Sequence, residues 1–244
     1  MTNQQVINYH LTKEEKVNMT DMAIKDLFRW CDDIGMFASD RPINDVGDVK
    51  GSCDHRTEFC DETCYNVKLY RIYPNMGKRD QRCEKEWQAV TGKAVNTWLS
   101  RKRKPTKRAR FNTRGEAIKD IRDVYRVKDI VTSTPDTEWW LPTRSWRNPL
   151  LRELVKIELF PLSNLAVNAS LDPSNTQDEE DALVADGWNI MYYGDDDAYP
   201  NKGDAFKCPK TWKKLSGHCT VCKAGCFSQT TLGRRVTVHL SDHR

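Results

Sequence analysis

The chain has no run of eighteen apolar residues, so no segment is expected to span a membrane. Its first residues, "MTNQQVINYHLTKEEKVNM", hold no apolar core and do not read as a secretory signal. Both absences point to a protein kept in the cytoplasm. There is no internal repeat and no low-complexity tract. Charge of one sign is also lacking: the net charge is only +4, which does not by itself make a nucleic-acid binder.

What is present is a soluble, polar chain of 244 residues, 38% hydrophobic and 30% charged. That length buries a core of its own, so cysteines are not needed merely to fold it. Yet there are 9 cysteines, an odd number, and 8 tryptophans. In a reducing compartment clustered cysteines read as metal ligands or redox centres and not as a disulfide framework.

Three parts are expected. Residues 1–50 form a helical segment, with Met19, Met22, Ile24, Leu27, Phe28 and Cys31 at roughly helical spacing and Thr12 as cap. Cys31 reads there as a small buried hydrophobe. Residues 51–200 form an α/β core. Within it "ARFNTRGEA", "TEWWLPTRSW", "NLAVNASLDPS" and "WNIMYYGDDD" read as strands, alternating with amphipathic helical stretches. Such alternation suits a partial (β/α) barrel or an open parallel sheet, and in both the site lies at the C-terminal strand ends. Those ends hold Asn112, Arg114 and Glu116, then Thr143, Arg144 and Trp146, then Asn168, Ser170 and Asp172, then Tyr193, Asp195 and Asp196. Residues 201–244 form a C-terminal cysteine-rich metal module.

The cysteines fall into two groups. Cys208, Cys219, Cys222 and Cys226, spaced by ten, two and three residues, suit tetrahedral zinc or a 4Fe–4S cluster. Four thiolates complete that site without His218 or His239; His239 and His243 read as surface residues of a terminal strand and tail. Cys53, Cys60 and Cys64 lack an evident fourth thiolate. His55 would complete a Cys3His zinc site, Cys83 is another candidate, or the three hold a 4Fe–4S cluster with one iron open. Between these groups runs the one dense basic stretch, "SRKRKPTKRAR". Arg101, Lys102, Arg103, Lys104, Lys107 and Arg108 are either a solvated loop or a strip that contacts phosphates. A metal-dependent hydrolase built on Glu116, Asp195, Asp196 and Asp197 ranks last, because consecutive aspartates point apart.

"CDHRTEFCDETCYN", "RFNTRGEA", "EWWLPTRSWRN", "LAVNASLDPS" and the terminal Cys-x2-Cys group together resemble the bacteriophage gene product eighty-eight family, over roughly residues 50–240. That likeness implies a phage protein acting in the host cytoplasm. A more distant likeness is to the radical S-adenosylmethionine enzymes. They carry three cysteines after the first strand of a partial (β/α)6 barrel and a Gly-Gly-Glu motif at the end of the second. "RGE" at 114–116 is similar, although the cysteine spacing of six then three differs. The likeness implies S-adenosylmethionine as cofactor. Glu116 would contact its amine, and Ser170 and Asp172 would face its ribose or the substrate. Glu116, Arg144 and Asp172 are then the catalytic candidates, and the C-terminal cysteines an auxiliary cluster. The substrate expected is a nucleotide or nucleic acid met through residues 101–110. The alternative is a non-enzymatic phage protein with structural metal sites, zinc included, that binds a host protein or nucleic acid.

Overall fold

The computed structural model describes residues 24, 26–102, 107–194, 205–212, 219–220, 222, 224–227 and 237–240. Its centre is an eight-stranded sheet in the order β1-β2-β3-β4-β5-β6-β8-β7. The strands are β1 Phe28–Cys31, β2 Met36–Ser39, β3 Arg108–Arg110, β4 Glu138–Thr143, β5 Leu165–Leu171, β6 Asn189–Tyr193, β7 Phe206–Lys207 and β8 Thr237–Leu240. β1 and β2 are antiparallel and every other pairing is parallel. The α/β class expected from the alternation is therefore present.

The helical reading of the N-terminal segment needs correction. Its first part, residues 12–23, lies outside the described residues, but Phe28–Cys31 is a strand. "FRWCDDIGMFAS" is a hairpin, and its turn closes on Gly35 at φ 67°. Leu27, Phe28 and Cys31 satisfy helical spacing by coincidence, since a short buried strand also supplies apolar residues.

Parallel neighbours need crossovers, and here they carry helices. Between β2 and β3 run α1 Glu58–Thr63, α2 Tyr65–Ile72, α3 Pro74–Ala89 and α4 Gly92–Ser100. Then come α5 Ile121–Ser133, α6 Pro149–Glu158 and α7 Gln177–Ala185, and α8 Pro209–Trp212 follows β7. Local sequence sets their starts. Asp120 caps α5, Asn148 caps α6 ahead of Pro149, and Thr176 with Glu179 forms a capping box on α7. Because β2 to β6 sit side by side in chain order, right-handed crossovers put their helices on one face of the sheet. The main core fills that face: Ala109, Phe111, Trp139, Leu141, Val167 and Ile190 pack with Val124, Val127, Ile130, Leu151 and Leu154.

Strand alternation sends the intervening residues to the second face. Register lines them up in rows. One row is Ala38, Arg110, Trp140 and Ala166; the next is Pro142, Asn168 and Asn189; the third is Ser170, Met191 and Val238. Over β1 to β4 this face is covered by part of the C-terminal cysteine segment. Cys219 and Phe227 pack on Cys31, Ile34, Met36 and Ala38, and the Cys219 amide donates to Ile34 O at 3.1 Å. Phe227 also meets Trp140, with ring centroids 5.9 Å apart.

His239 is a second correction. It lies in a terminal strand as expected but is buried, with Nε2 2.9 Å from Gly194 O and its ring against Tyr192. His218 and His243 lie outside the described residues, as do Asp195, Asp196 and Asp197.

Candidate functional site

The loops after β2 and β3 are locked together by buried ions. Arg41 bridges Glu84 at 2.6 Å and Asp123 at 2.9 Å; Arg114 bridges Asp80 at 2.7 Å and Asp40 at 2.9 Å. Ser52 Oγ donates to Pro42 O and accepts the Glu116 amide, both at 2.8 Å. Gly115 makes the close approach possible. Its φ is 71°, and a Cβ there would stand 2.5 Å from both Arg41 O and Ser52 Oγ. The start of the cysteine loop is thus clamped to the "RGE" turn.

A cavity of about 170 Å³ opens at the C-terminal strand ends beside that clamp. Cys53, Cys60 and Cys64 line it, as do His55 and Arg56 from the same loop. From the strand ends come Asn112, Glu116, Arg144 and Ser170, with Arg110 and Pro142 from within β3 and β4. The three thiols feel one another. Burial raises the Cys53 pKa first, and Glu116, Cys60 and Cys64 add to it; burial raises that of Cys60 too, against the pull of nearby Arg144. Among the described residues no three His, Cys, Asp or Glu side chains are preset at metal-ligand spacing. Thr57 caps α1 through the Cys60 amide at 3.0 Å, while its hydroxyl donates to Asp172 at 2.5 Å.

Glu116 is 7% exposed. Its Oε1 accepts the Ala117 amide at 3.0 Å and its Oε2 the Arg144 amide at 2.8 Å. Burial still wins, and the carboxyl is held above its ordinary range. Asp172 lies behind the wall. Its Oδ2 meets Arg144 Nη1 at 2.7 Å, and its Oδ1 accepts the Ser174 amide and hydroxyl at 3.0 and 2.6 Å. Burial alone would raise its pKa, but Arg144, Ser174 and Thr57 together hold it below the usual carboxylate range. Asp172 therefore positions Arg144 and does not itself line the cavity. Ser170 does, and its carbonyl also accepts Trp146 Nε1 at 3.0 Å.

Other sequence candidates are placed elsewhere. Cys83 is fully buried on α3, where its thiol donates to Asp26 O at 3.1 Å, so it is no fourth ligand to this loop. Arg114 is committed to its ion pairs. Of the basic strip, Arg101, Lys102 and Lys107 are exposed, and Arg103 and Lys104 lie outside the described residues. Arg108 is engaged within the protein: it pairs with Glu138 at 2.6 Å and donates to Thr220 O at 2.8 Å. Arg110, the last residue of the same strip, was missed as a cavity residue. A basic run looks like surface, and only its alternation with Ala109 across a three-residue strand points it inward.

In the C-terminal group burial pushes Cys226 up to about 12, with Cys219, Cys208 and Cys222 adding to the effect. Burial lowers the Arg110 pKa, and the acidic groups opposing it most are Cys219 and Cys226. Arg110 stands between the two cysteine groups.

The model of the family described as Gene product 88 matches residues 11–215, and the chain belongs to that phage gene product family. The match takes in the N-terminal segment that the motif likeness left out, and it ends before Cys219, Cys222 and Cys226. No curated protein and no solved structure matches the chain.

Proposed function

We propose that this member of the gene product 88 family is an iron–sulfur enzyme of the radical S-adenosylmethionine type, acting on a nucleotide or nucleic acid. One observation carries the reading: Cys53, Cys60 and Cys64 line a single cavity with Glu116, Arg144 and Ser170 at the C-terminal ends of parallel strands. The topology supports it. Six neighbouring strands, β2, β3, β4, β5, β6 and β8, are parallel, and the first five sit side by side in chain order, which favours the partial barrel over a doubly wound sheet. The three-cysteine loop follows the first of them, and Glu116 follows the second.

The donor set fits a thiolate-bound cluster, since three soft ligands face one cavity. Cys53, Cys60 and Cys64 would hold it, and when bound it supplies a single electron to a sulfonium beside it. The chain's own part is positional. Glu116, a carboxylate in a dry site, would accept the ammonium of the methionine moiety. Arg144, fixed by Asp172, would present its remaining N–H groups to the ligand, and Ser170 would contact ribose or substrate. Cys208, Cys219, Cys222 and Cys226 would hold an auxiliary metal centre against the second face of the sheet. Arg101, Lys102 and Lys107 are the exposed cations available to a nucleic acid, whose binding would then weaken steeply with salt.

The test is purification without oxygen, followed by iron, sulfide and zinc analysis and an absorption spectrum. A brown protein with iron and sulfide is expected; a colourless protein holding zinc alone would sink the proposal. A second reading has its own observation. His55 lines the same cavity, and its Nε2 is buried without a partner. Cys53, His55, Cys60 and Cys64 would then be a closed zinc site in a non-enzymatic protein that binds a host protein or nucleic acid.

A further inference from the structure

The inner wall of the cavity carries polar groups that the proposed chemistry at the cysteine loop does not use. Arg110 sits in the row of second-face residues below the strand ends, and its Nε is shut off from water without a hydrogen-bond partner. The other guanidiniums lining the cavity are paired, Arg56 with Asp61 at 2.6 Å and Arg144 with Asp172 at 2.7 Å. No carboxylate stands within ion-pair distance of Arg110 among the described residues. Asn112 is 4% exposed. Its Oδ1 accepts the Ser39 hydroxyl at 2.6 Å, and its Nδ2 has no partner. Asn168, 1% exposed, lies beside the cavity-lining Pro142 in the next row, and neither its Nδ2 nor its Oδ1 is bonded.

Folded proteins rarely leave such groups unmet, because each loses its hydration on burial and gains nothing in exchange. The cost for a guanidinium is the greatest of the three. A ligand that satisfies them together offers oxygen acceptors with negative charge to Arg110 and the two amide N–H groups, and one donor to Asn168 Oδ1. A phosphate or carboxylate with a hydroxyl or amine beside it has that pattern.

We propose that Arg110 and Asn112, which line the cavity, together with Asn168 beside Pro142, form an anion subsite at its inner end, which takes the phosphate or carboxylate of the substrate. The word substrate rests on the enzymatic reading above; the subsite itself requires no cluster. Its residues differ from Glu116, Arg144 and Ser170, assigned to S-adenosylmethionine, so the proposal requires that the two ligands do not compete.

Trp140 supplies a reporter, since the Arg110 guanidinium lies 4.4 Å from its ring centroid. The full chain, purified without oxygen, is titrated with inorganic phosphate and with acetate while tryptophan emission is followed, and iron is measured on the same sample. Saturable binding of at least one anion is expected. Arg110→Met should weaken it by about tenfold or more, Arg110→Lys by less, and Asn168→Ser by an intermediate factor. Arg110→Met should melt no lower than the parent, because it removes an unmatched cation, so lost binding cannot be ascribed to lost folding. The proposal is overturned if neither anion binds, if Arg110→Met binds as the parent does, or if the anion and S-adenosylmethionine compete. Anion binding by a protein without iron would remove the radical reading and leave the subsite standing.

Discussion

Arg144 Nη1 stands 2.7 Å from Asp172 Oδ2, and this pair joins the end of β4 to the loop after β5. Thr57 brings the cysteine loop into the same joint, since its hydroxyl donates to Asp172 and accepts the Cys60 amide. Three loops that carry candidate ligand contacts are thus held by one carboxylate. Asp172→Asn keeps the shape and removes the charge, leaving Arg144 without its counter-ion. The expected loss of stability is about 3–5 kcal/mol, the usual cost of breaking a buried pair on one side. Urea unfolding of Asp172→Asn, Arg144→Met and the double variant measures it. The two losses should be far from additive; simple additivity would mean the pair is not the joint.

The same carboxylate sets an acid response. Its folded pKa lies below the ordinary value, so its contribution to stability is complete above the unfolded value of about 3.9 and is lost as pH falls through the folded one. The thermal midpoint of the parent should therefore drop as pH falls below about 4. Asp172→Asn should lose part of that drop, and an identical pH profile for the two proteins would count against the assignment.

Gly115 is the point where the "RGE" turn meets the cysteine loop. An L side chain at φ 71° is strained, and its Cβ would stand 2.5 Å from Arg41 O. Gly115→Ala is expected to cost at least about 2 kcal/mol, backbone strain and overlap combined. The overlap would also push Ser52, and with it Cys53, away from Glu116. Metal content per folded chain should fall along with the melting temperature. A variant that melts like the parent would show that the clamp is looser than its geometry.

The α/β core was legible because its signals are redundant. "NLAVNASLDPS" alternates Leu165, Val167, Ala169 and Leu171 and ends on a polar turn, and "NTQDEEDALVADG" holds Thr176 with Glu179 three residues on, which is both a cap and a helix start. The strand ends Glu116, Arg144 and Ser170 could be picked out because parallel sheets gather such ends on one rim. What was not legible is short or depends on distant partners. β1 and β2 are four residues each, too few for a period to assert itself. Arg110 and Arg108 read as one basic run with Arg101 and Lys102. Nothing local says that β3 will turn Arg110 into a cavity and Arg108 against Phe227. His239 likewise reads as surface until β8 is inserted between β6 and β7.

Replacing cysteines one at a time separates the two groups. Serine at Cys53, Cys60 or Cys64 should remove the metal of the first centre and leave the second. Serine at Cys219, Cys222 or Cys226 should do the reverse and also loosen the cover over Trp140 and Met36. Cys83→Ser should leave both centres intact, because that thiol faces Asp26 O on the far side of α3. Iron, sulfide and zinc per chain give the readout. Loss of all metal from any single replacement would mean that the centres are not independent.

His55 decides between the two readings of the first centre. Burial lowers its pKa, which favours the neutral ring that a metal ligand requires. Its Nε2 is buried without a partner, and the residue lines the cavity of Cys53, Cys60 and Cys64. In a closed zinc site it would be the fourth ligand, and His55→Gln would lower metal affinity as much as loss of a cysteine does. In a cluster with one open iron, three thiolates suffice. The proposed function therefore predicts that His55→Gln keeps its iron and colour under anaerobic conditions, while Cys60→Ser loses both. S-adenosylmethionine binding, followed by calorimetry, should weaken only modestly in His55→Gln and vanish in Cys60→Ser. Equal loss of metal in the two variants, with zinc as the metal present, would assign the site to a structural staple.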